Sequence, residues 1–489
     1  VLVRIFADTP VGSAFNAAFA LPNLFRRLFG EGALSAAFIP RYTQLHESDP
    51  DRSARYASLV VAALVALTSV LTILGEIALL AWLTNAGDDP DRALSIRLMM
   101  LMLPLMPMVC TVAILAGMLQ VNRRFAVPAA APIVLNLCMI AAAVAAIITG
   151  LEAHHAATWI ALATLLAGVI QLVWALRALR PLVRFTTAFS EATHDAKQTL
   201  PRFLPVLVGM GTLQLNTLAD TVLAMWPVWI GPTLLGRAVP MDDASNAVLG
   251  FTQRLYQFPL GVFGIAVATA AFPQLARSAG TPAFADTLAR GMRLSLFIGL
   301  PASLGLLLIR DDLVAVMFSG AGGFSDDGLA RASAVLAGYA LAVWAYSLNH
   351  LLTRAFYAAD DTKTPMRVSL VMVAVNLALN LTLIWRFREA GLAYATAITA
   401  TLQMLTLAVI QRRRLTEAPP IMPAMLRITA VSIAMAAAVW LTLTLLPTPD
   451  TWTDHAIRVA AAVTTGGLAY AALALLTKSP ELRQLISRR

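Results

Sequence analysis

Charged side chains inside apolar stretches are the residues of this sequence that most need a chemical reason. The block Pro22-Asn23-Leu24-Phe25-Arg26-Arg27-Leu28-Phe29-Gly30-Glu31-Gly32-Ala33 lies within a long apolar segment, where ionisable groups are costly unless they face a cavity or a partner. Arg27 and Glu31 stand at i,i+4, a spacing that lets them pair on one face of an α-helix. Pro22, Gly30 and Gly32 permit a kink or a close helix contact. Two readings are open: a structural ion pair in a bent helix, or an inward arginine that binds an anion. Guanidinium suits phosphate because its planar fork donates two parallel hydrogen bonds, and Asn23 is a neighbouring donor.

A second block, Gln253-Arg254-Leu255-Tyr256-Gln257-Phe258-Pro259, is also apolar on both sides, and Arg254 has no acid at i±3 or i±4. Arg254 either snorkels to an interface or faces a cationic cavity. A third set is scattered. Gln214, Asn216 and Asp220 share one segment, in which Asp220 is the sole acid of 203–229; Asn376 and Asn380 repeat an i,i+4 spacing, and Thr396 follows one segment on. Such oxygens either hydrogen-bond between helices or hold a small hard cation.

Nothing reads as an enzyme. The sequence has no phosphate-binding Walker loop, no nucleophile elbow and no paired carboxylates in one segment, so energy is expected from an ion gradient or the membrane potential. Cys110 and Cys138 each sit in an apolar segment and read as small buried hydrophobes. The six histidines form no metal-binding array, and His154 and His155 fall in a short polar connection.

The elements that carry these residues follow from composition. The 489 residues are 59% hydrophobic and 13% charged, where a soluble domain carries about 25% charged residues. Apolar stretches of membrane-spanning length recur along the chain, among them 59–83, 99–119, 133–148, 156–176 and 428–446. Hydrocarbon cannot satisfy the backbone of an open sheet, and barrel-type alternation is absent, so the fold class is an all-α polytopic membrane protein. The expected helix cores are 14–40, 58–84, 97–119, 129–149, 157–178, 203–230, 246–275, 288–309, 330–356, 366–386, 391–410, 424–446 and 457–476. Val1–Phe6 reads as the end of a further helix that began earlier, so the expectation is about fourteen spans with the first truncated. No cleavable signal peptide is visible.

The net charge of +9 is concentrated at the ends of apolar segments, which points to anionic lipid and topology rather than nucleic acid. Connections alternate between a basic set, such as Arg123/Arg124, 177–202 and Arg412–Arg414, and a poorer set, such as 150–155 and 447–455; the first holds roughly three times more basic residues. The positive-inside rule places the basic set and both termini in the cytoplasm. A faint internal repeat matches Phe38-Ile39-Pro40 to Phe272-Pro273 and 128–136 to 365–376. It suggests two six-helix lobes related by a pseudo-twofold, with a site between repeats and Arg254 opposite the first arginine block. The resulting division is an N-terminal lobe at 1–185, a C-terminal lobe at 199–414 and two extra helices at 415–489, with 184–198 as the linker.

The segment 19–40, FALPNLFRRLFGEGALSAAFIP, closely resembles the signature of the MurJ (MviN) lipid II flippases, members of the superfamily that includes the multidrug and toxin extrusion transporters. Asn122-Arg123-Arg124-Phe125-Ala126-Val127-Pro128, Arg254–Pro259 and Phe356-Tyr357-Ala358-Ala359-Asp360-Asp361-Thr362-Lys363-Thr364-Pro365 add to the resemblance, which runs in order to about Arg414. It implies fourteen helices around a cationic cavity, with two extra helices forming a lipid-facing groove. The implied substrate is the undecaprenyl-pyrophosphate-linked disaccharide-pentapeptide of peptidoglycan synthesis, in a bacterial inner membrane. Essential family arginines match Arg26 and Arg254, and Glu31 matches a family acid. A sodium site of some members maps to Asp220, Asn376, Asn380 and Thr396 with a backbone carbonyl near Leu392. The sequence departs from the family pattern at Ser13 and at Asn380, each standing where the family has an acid; Asp220 is then the one charged candidate ligand. The implied cycle is alternating access. The rival is a cation-coupled exporter of small organic molecules, which predicts an acidic, aromatic-lined cavity. A non-transporting scaffold for cell-wall enzymes is a third class, and association with that machinery is compatible with either. A monomer is the default expectation, since the lobes already enclose a site.

Overall fold

The computed structural model describes residues 1–85, 87, 89–190, 192–415 and 421–486, and their side chains other than those of 30–37, 200–210, 212, 213, 263, 485 and 486. Contacts divide the chain into two compact units, the first Val1–Ala238 with Asp242–Ala247, the second Val239–Met241 with Val248–Arg489.

The first unit holds α1 (Val3–Phe6), α2 (Pro10–Phe25), a π-helical segment (Arg26–Gly32), α3 (Ala33–Ser48), α4 (Pro50–Thr84), α5 (Pro90–Met102), α6 (Leu105–Val121), α7 (Ala126–Thr149), α8 (Ala153–Leu179), α9 (Thr193–Ala224) and α10 (Trp226–Trp229). The second holds most of α11 (Ser245–Pro259), a second π segment (Leu260–Ile265), α12 (Ala266–Ser278), α13 (Ala283–Leu308), α14 (Arg310–Phe318), α15 (Asp326–Ala340), α16 (Val343–Ala358), α17 (Lys363–Phe387), α18 (Glu389–Arg414), α19 (Met422–Leu445), α20 (Trp452–Leu476) and α21 (Pro480–Ile486). The thirteen cores expected from sequence coincide with these helices or with consecutive ones, but 97–119, 203–230 and 330–356 are each interrupted, at 103–104, 225 and 341–342, and 288–309 and 424–446 each run one residue past their helix. Among the described residues, eleven helical runs are long and apolar enough to cross a membrane. The runs through α2–α3 and α9 lie outside that set, and both carry the polar blocks singled out above.

Helix ends follow local chemistry. Thr9, Asp49 and Asp89 cap α2, α4 and α5, each followed by proline at the first helical position, where the missing N–H costs nothing. Thr451 and Asp454 form a reciprocal capping box at α20. Among the described residues the one departure from all-helix is a hairpin with two residues per strand, β1 (Thr233–Leu234) with β2 (Arg237–Ala238), paired Thr233 to Ala238. Leu235 and Gly236 turn it with φ of 51° and 76°, the doubly positive geometry of a tight hairpin turn. Two residues per strand are too few for any alternation to show in sequence.

In the first unit Phe38, Tyr42 and Tyr56 stack at 5.3 and 5.5 Å in the core between α3 and α4. Contacts place the border between units at 238–248, later than the sequence linker, because α9 packs on α3 and α4. Asp195 at its start is fully buried and takes hydrogen bonds from Arg41 and from Arg52 Nε at 2.8 Å, while Tyr56 and Thr199 hydroxyls meet at 2.8 Å. Burial opposes the Asp195 charge, but the hydrogen bonds and charges of Arg52 and Arg41 outweigh it and hold the carboxyl below its ordinary value.

The two last spans belong to the second unit. α19 packs on α13, and Tyr470 of α20 donates to the Phe297 carbonyl at 2.6 Å. At one end Arg458 lies against both oxygens of Asp312 at 3.1 Å and donates to the carbonyls of Leu443 and Pro447, with His455 at 2.7 Å from the same acid. At the other end Arg427 meets Glu481 at 2.6 Å.

Candidate functional site

Pro22 lies inside α2 and has no N–H to donate. Three residues on, the chain leaves α-helical register, and Arg26–Gly32 adopts the wider i→i+5 pattern that is common at functional positions. Arg26 opens this segment half-buried, and its Nε and Nη2 both donate to Asn23 Oδ1, at 3.0 and 2.8 Å. The asparagine therefore fixes the plane of the guanidinium. Phe25 and Phe29 stack almost parallel at 6.2 Å beside it. Asn23 and Arg26, two of the sequence candidates, are thus brought together. Arg27 is half-buried. The Glu31 side chain lies outside the described residues, but the backbone of both positions is π-helical, and the i,i+4 pairing expected from sequence assumed an α turn. The π register removes that premise.

Arg254 lies on α11 with its guanidinium over the ring of Phe251 at 5.3 Å, and its side chain is exposed. The ring face attracts the cation and fixes the lie of its plane. Phe251 is held edge-on by Phe324, which stacks on Phe318. One turn along, Tyr256 stacks on Tyr339 at 4.4 Å and lies 6.5 Å from Tyr346. Sequence reasoning missed this aromatic support, because its members come from α11 and from segments far along the chain, at Phe324, Tyr339 and Tyr346, and no local spacing links them. The second π segment follows Pro259 directly. The register that sets Pro40 on Pro273 carries Arg26–Gly32 onto 259–265, the place of that second segment. The repeat is therefore structural as well as sequential, but Arg254 precedes its π segment while Arg26 opens its own. The two arginines are not equivalent positions of the repeat.

The expected cation ligands divide between units: Asp220 is buried in α9 of the first, and Asn376, Asn380, Leu392 and Thr396 belong to the second. Asn380 Nδ2 donates to Asn376 Oδ1 at 3.2 Å, and Asn376 Nδ2 to Thr399 Oγ1 at 3.5 Å. Thr399, one turn from the half-buried Thr396, is the hydroxyl that joins the pair. A sodium ion needs oxygens converging on one point. In the described bonds of the second unit the amides meet those oxygens with N–H groups, which is the pattern of hydrogen bonding within and between helices rather than of ligands turned toward one ion.

The family model described as Lipid II flippase MurJ matches residues 2–462. The probable lipid II flippase MurJ of Rhizobium tropici is 33% identical over 417 residues, covering 83% of this chain and 75% of that protein. That of Rhizobium meliloti is 31% identical over 479 residues, covering 95% and 86%. Among solved structures, a lipid II flippase MurJ in an inward closed conformation matches with a TM-score of 0.79 at 21% identity, over 99% of this chain and 96% of that one. An inward-facing multidrug resistance MATE family transporter of the MOP superfamily matches with a TM-score of 0.66 at 12% identity, over 85% and 93%. At such identities the structures establish the fold, and the sequence matches carry the family.

Proposed function

Because the chain belongs to the lipid II flippase MurJ family, we propose that this multi-pass membrane transporter moves lipid II from the cytoplasmic to the periplasmic leaflet of a bacterial inner membrane. The observation that carries the reading to particular residues is the pair of prepared guanidiniums: Arg26, in the π-helical segment after α2, fixed by Asn23, and Arg254, in α11, seated on Phe251. A pyrophosphate offers several charged oxygens to such forks. Arg27 and Glu31 complete the candidate set around Arg26. The sugar-peptide head enters from the cytoplasmic side and the isoprenoid tail stays in lipid, along α19 and α20. Alternating access then exposes the head to the periplasm. A charge moved through 100 mV is worth about 2.3 kcal/mol, so the membrane potential can return an empty cationic site.

The test is native mass spectrometry of lipid II binding to the purified protein, Arg26→Ala and Arg254→Ala, with a neutral lipid of the same tail as control. Selective binding lost in both variants, at unchanged melting temperature, supports the reading. Binding indifferent to head-group, or untouched by either substitution, returns both arginines to structure and favours an exporter of small organic molecules.

A further inference from the structure

α4 carries an acid that the proposed pyrophosphate site does not use. Between Tyr56 and Asp88 the one ionisable side chain is Glu76. It lies eight residues before the end of the 35-residue helix, ~12 Å along the axis. Trp82, six residues further on, packs edge-on against Trp229 at 5.9 Å, the kind of aromatic anchor that marks an interface. Glu76 is therefore within the apolar depth of the span.

The helix presents two faces there. Val70, Ile73, Leu74, Ile77 and Leu80 are exposed, as a surface toward lipid requires. Leu64, Thr68 and Thr72 are buried at four-residue steps, and Glu76 is the next step of that row. Gly75 brings the backbone so close to α5 that an added Cβ would stand 2.7 Å from Leu103 Cδ2. Glu76 thus sits beside the seam between α4 and α5, and its Oε1 is buried with no hydrogen-bond partner among the described residues.

The charges on the packed elements lie elsewhere. α4 meets α3, α5, α6 and α9. On α3, Arg41, Tyr42, His46 and Glu47 are at the opposite end of α4, with Arg52, Arg55 and Tyr56. On α5, Asp91 and Arg92 are in the first turn and Arg97 is exposed, six residues from Leu103. α6 has only Cys110. On α9, His194 and Lys197 are exposed near its start, Asp195 is taken by Arg41 and Arg52, the Arg202 side chain lies outside the described residues, and Asp220 has contacts of its own. A carboxylate at such a depth, without a cation or donor, is resolved most cheaply by binding a proton.

We propose that Glu76 is a proton-binding site of the transporter. It is neutral while the α4–α5 seam is closed, takes its proton from water on one side and gives it to water on the other, and so couples proton movement to the transport cycle. The coupling rests on the flippase reading; the proton site does not.

Dicyclohexylcarbodiimide, which adds to protonated carboxyls in apolar surroundings, tests the site in protein reconstituted without substrate. We expect an adduct on the peptide containing Glu76 in acidic buffer, lost as the buffer is made alkaline, and absent in Glu76→Gln. In proteoliposomes, an imposed pH gradient should change the rate of lipid II flipping by wild type and not by Glu76→Gln, with Glu76→Asp retaining the response. A Glu76 that stays unlabelled at every pH, or a Glu76→Gln variant that still responds to the gradient, overturns the proposal. Labelling of Glu76 in a protein that moves no lipid II overturns the flippase reading and leaves the proton site standing.

Discussion

Asn23 holds two N–H groups of Arg26 on one oxygen, so its contribution is to orientation rather than charge. Asn23→Ala should weaken lipid II binding about tenfold, ~1.4 kcal/mol, with little change in melting temperature, whereas Arg26→Ala should remove selective binding altogether. A titration by native mass spectrometry separates the two; equal effects would mean that the asparagine touches the lipid itself. Asn380 offers a test of the opposite kind. In the wild type its amide donates to Asn376, and exchanging potassium for sodium should leave the melting temperature unchanged. Asn380→Asp replaces that donor by a carboxylate oxygen, and the exchange should then raise the melting temperature measurably. Arg26 and Arg254 were legible in the sequence, because a charge within an apolar run demands a reason. The bond from Arg26 to Asn23 was not, since it depends on side-chain geometry that spacing alone leaves open.

At the scale of elements, the spans were legible and their internal breaks were not. Hydropathy sees twenty residues at a time, and a π segment differs from the helix around it by one residue of register. Pro22 and Gly30 announced a bend without saying how the backbone would make it. That one residue also supplies a test. Deleting Leu28 restores α-helical register while leaving α2 and α3 in phase, so folding should persist while flipping falls at least tenfold; unchanged flipping would make the π segment incidental. A second consequence concerns α9, which the sequence assigned to the later lobe but which docks on α3 and α4 through Asp195. Its carboxyl is held below the ordinary value. The stabilisation is therefore present above the unfolded-state value, near pH 4, and is lost as pH falls through the lower folded-state value. Asp195→Asn should cost about 2 kcal/mol at neutral pH, and thermal melts of variant and wild type should converge in acid. Asp361, held to about 2 by hydrogen bonds from Thr364 and by Arg414 despite some burial, gives the turn between α16 and α17 the same sign of dependence over a wider range.

For the whole molecule, orientation decides which leaflet meets the arginines first. Basic residues cluster on alternate connections, and a translocating membrane holds such segments on the cytoplasmic side. The rule has a direct chemical check because both native thiols lie inside spans, Cys110 buried and Cys138 half-buried. Wild-type protein in intact cells should therefore resist a membrane-impermeant maleimide. Leu151, exposed in the basic-poor connection between α7 and α8, and Phe185, exposed in the basic linker before α9, are suitable reporters. Leu151→Cys should label from outside, and Phe185→Cys only after the membrane is opened. The reverse pattern would place the basic linker in the periplasm and overturn the proposed direction of transport. The same pair also constrains the count of spans. Connections after α7 and before α9 are separated by α8 alone, so opposite accessibility requires that α8 cross completely.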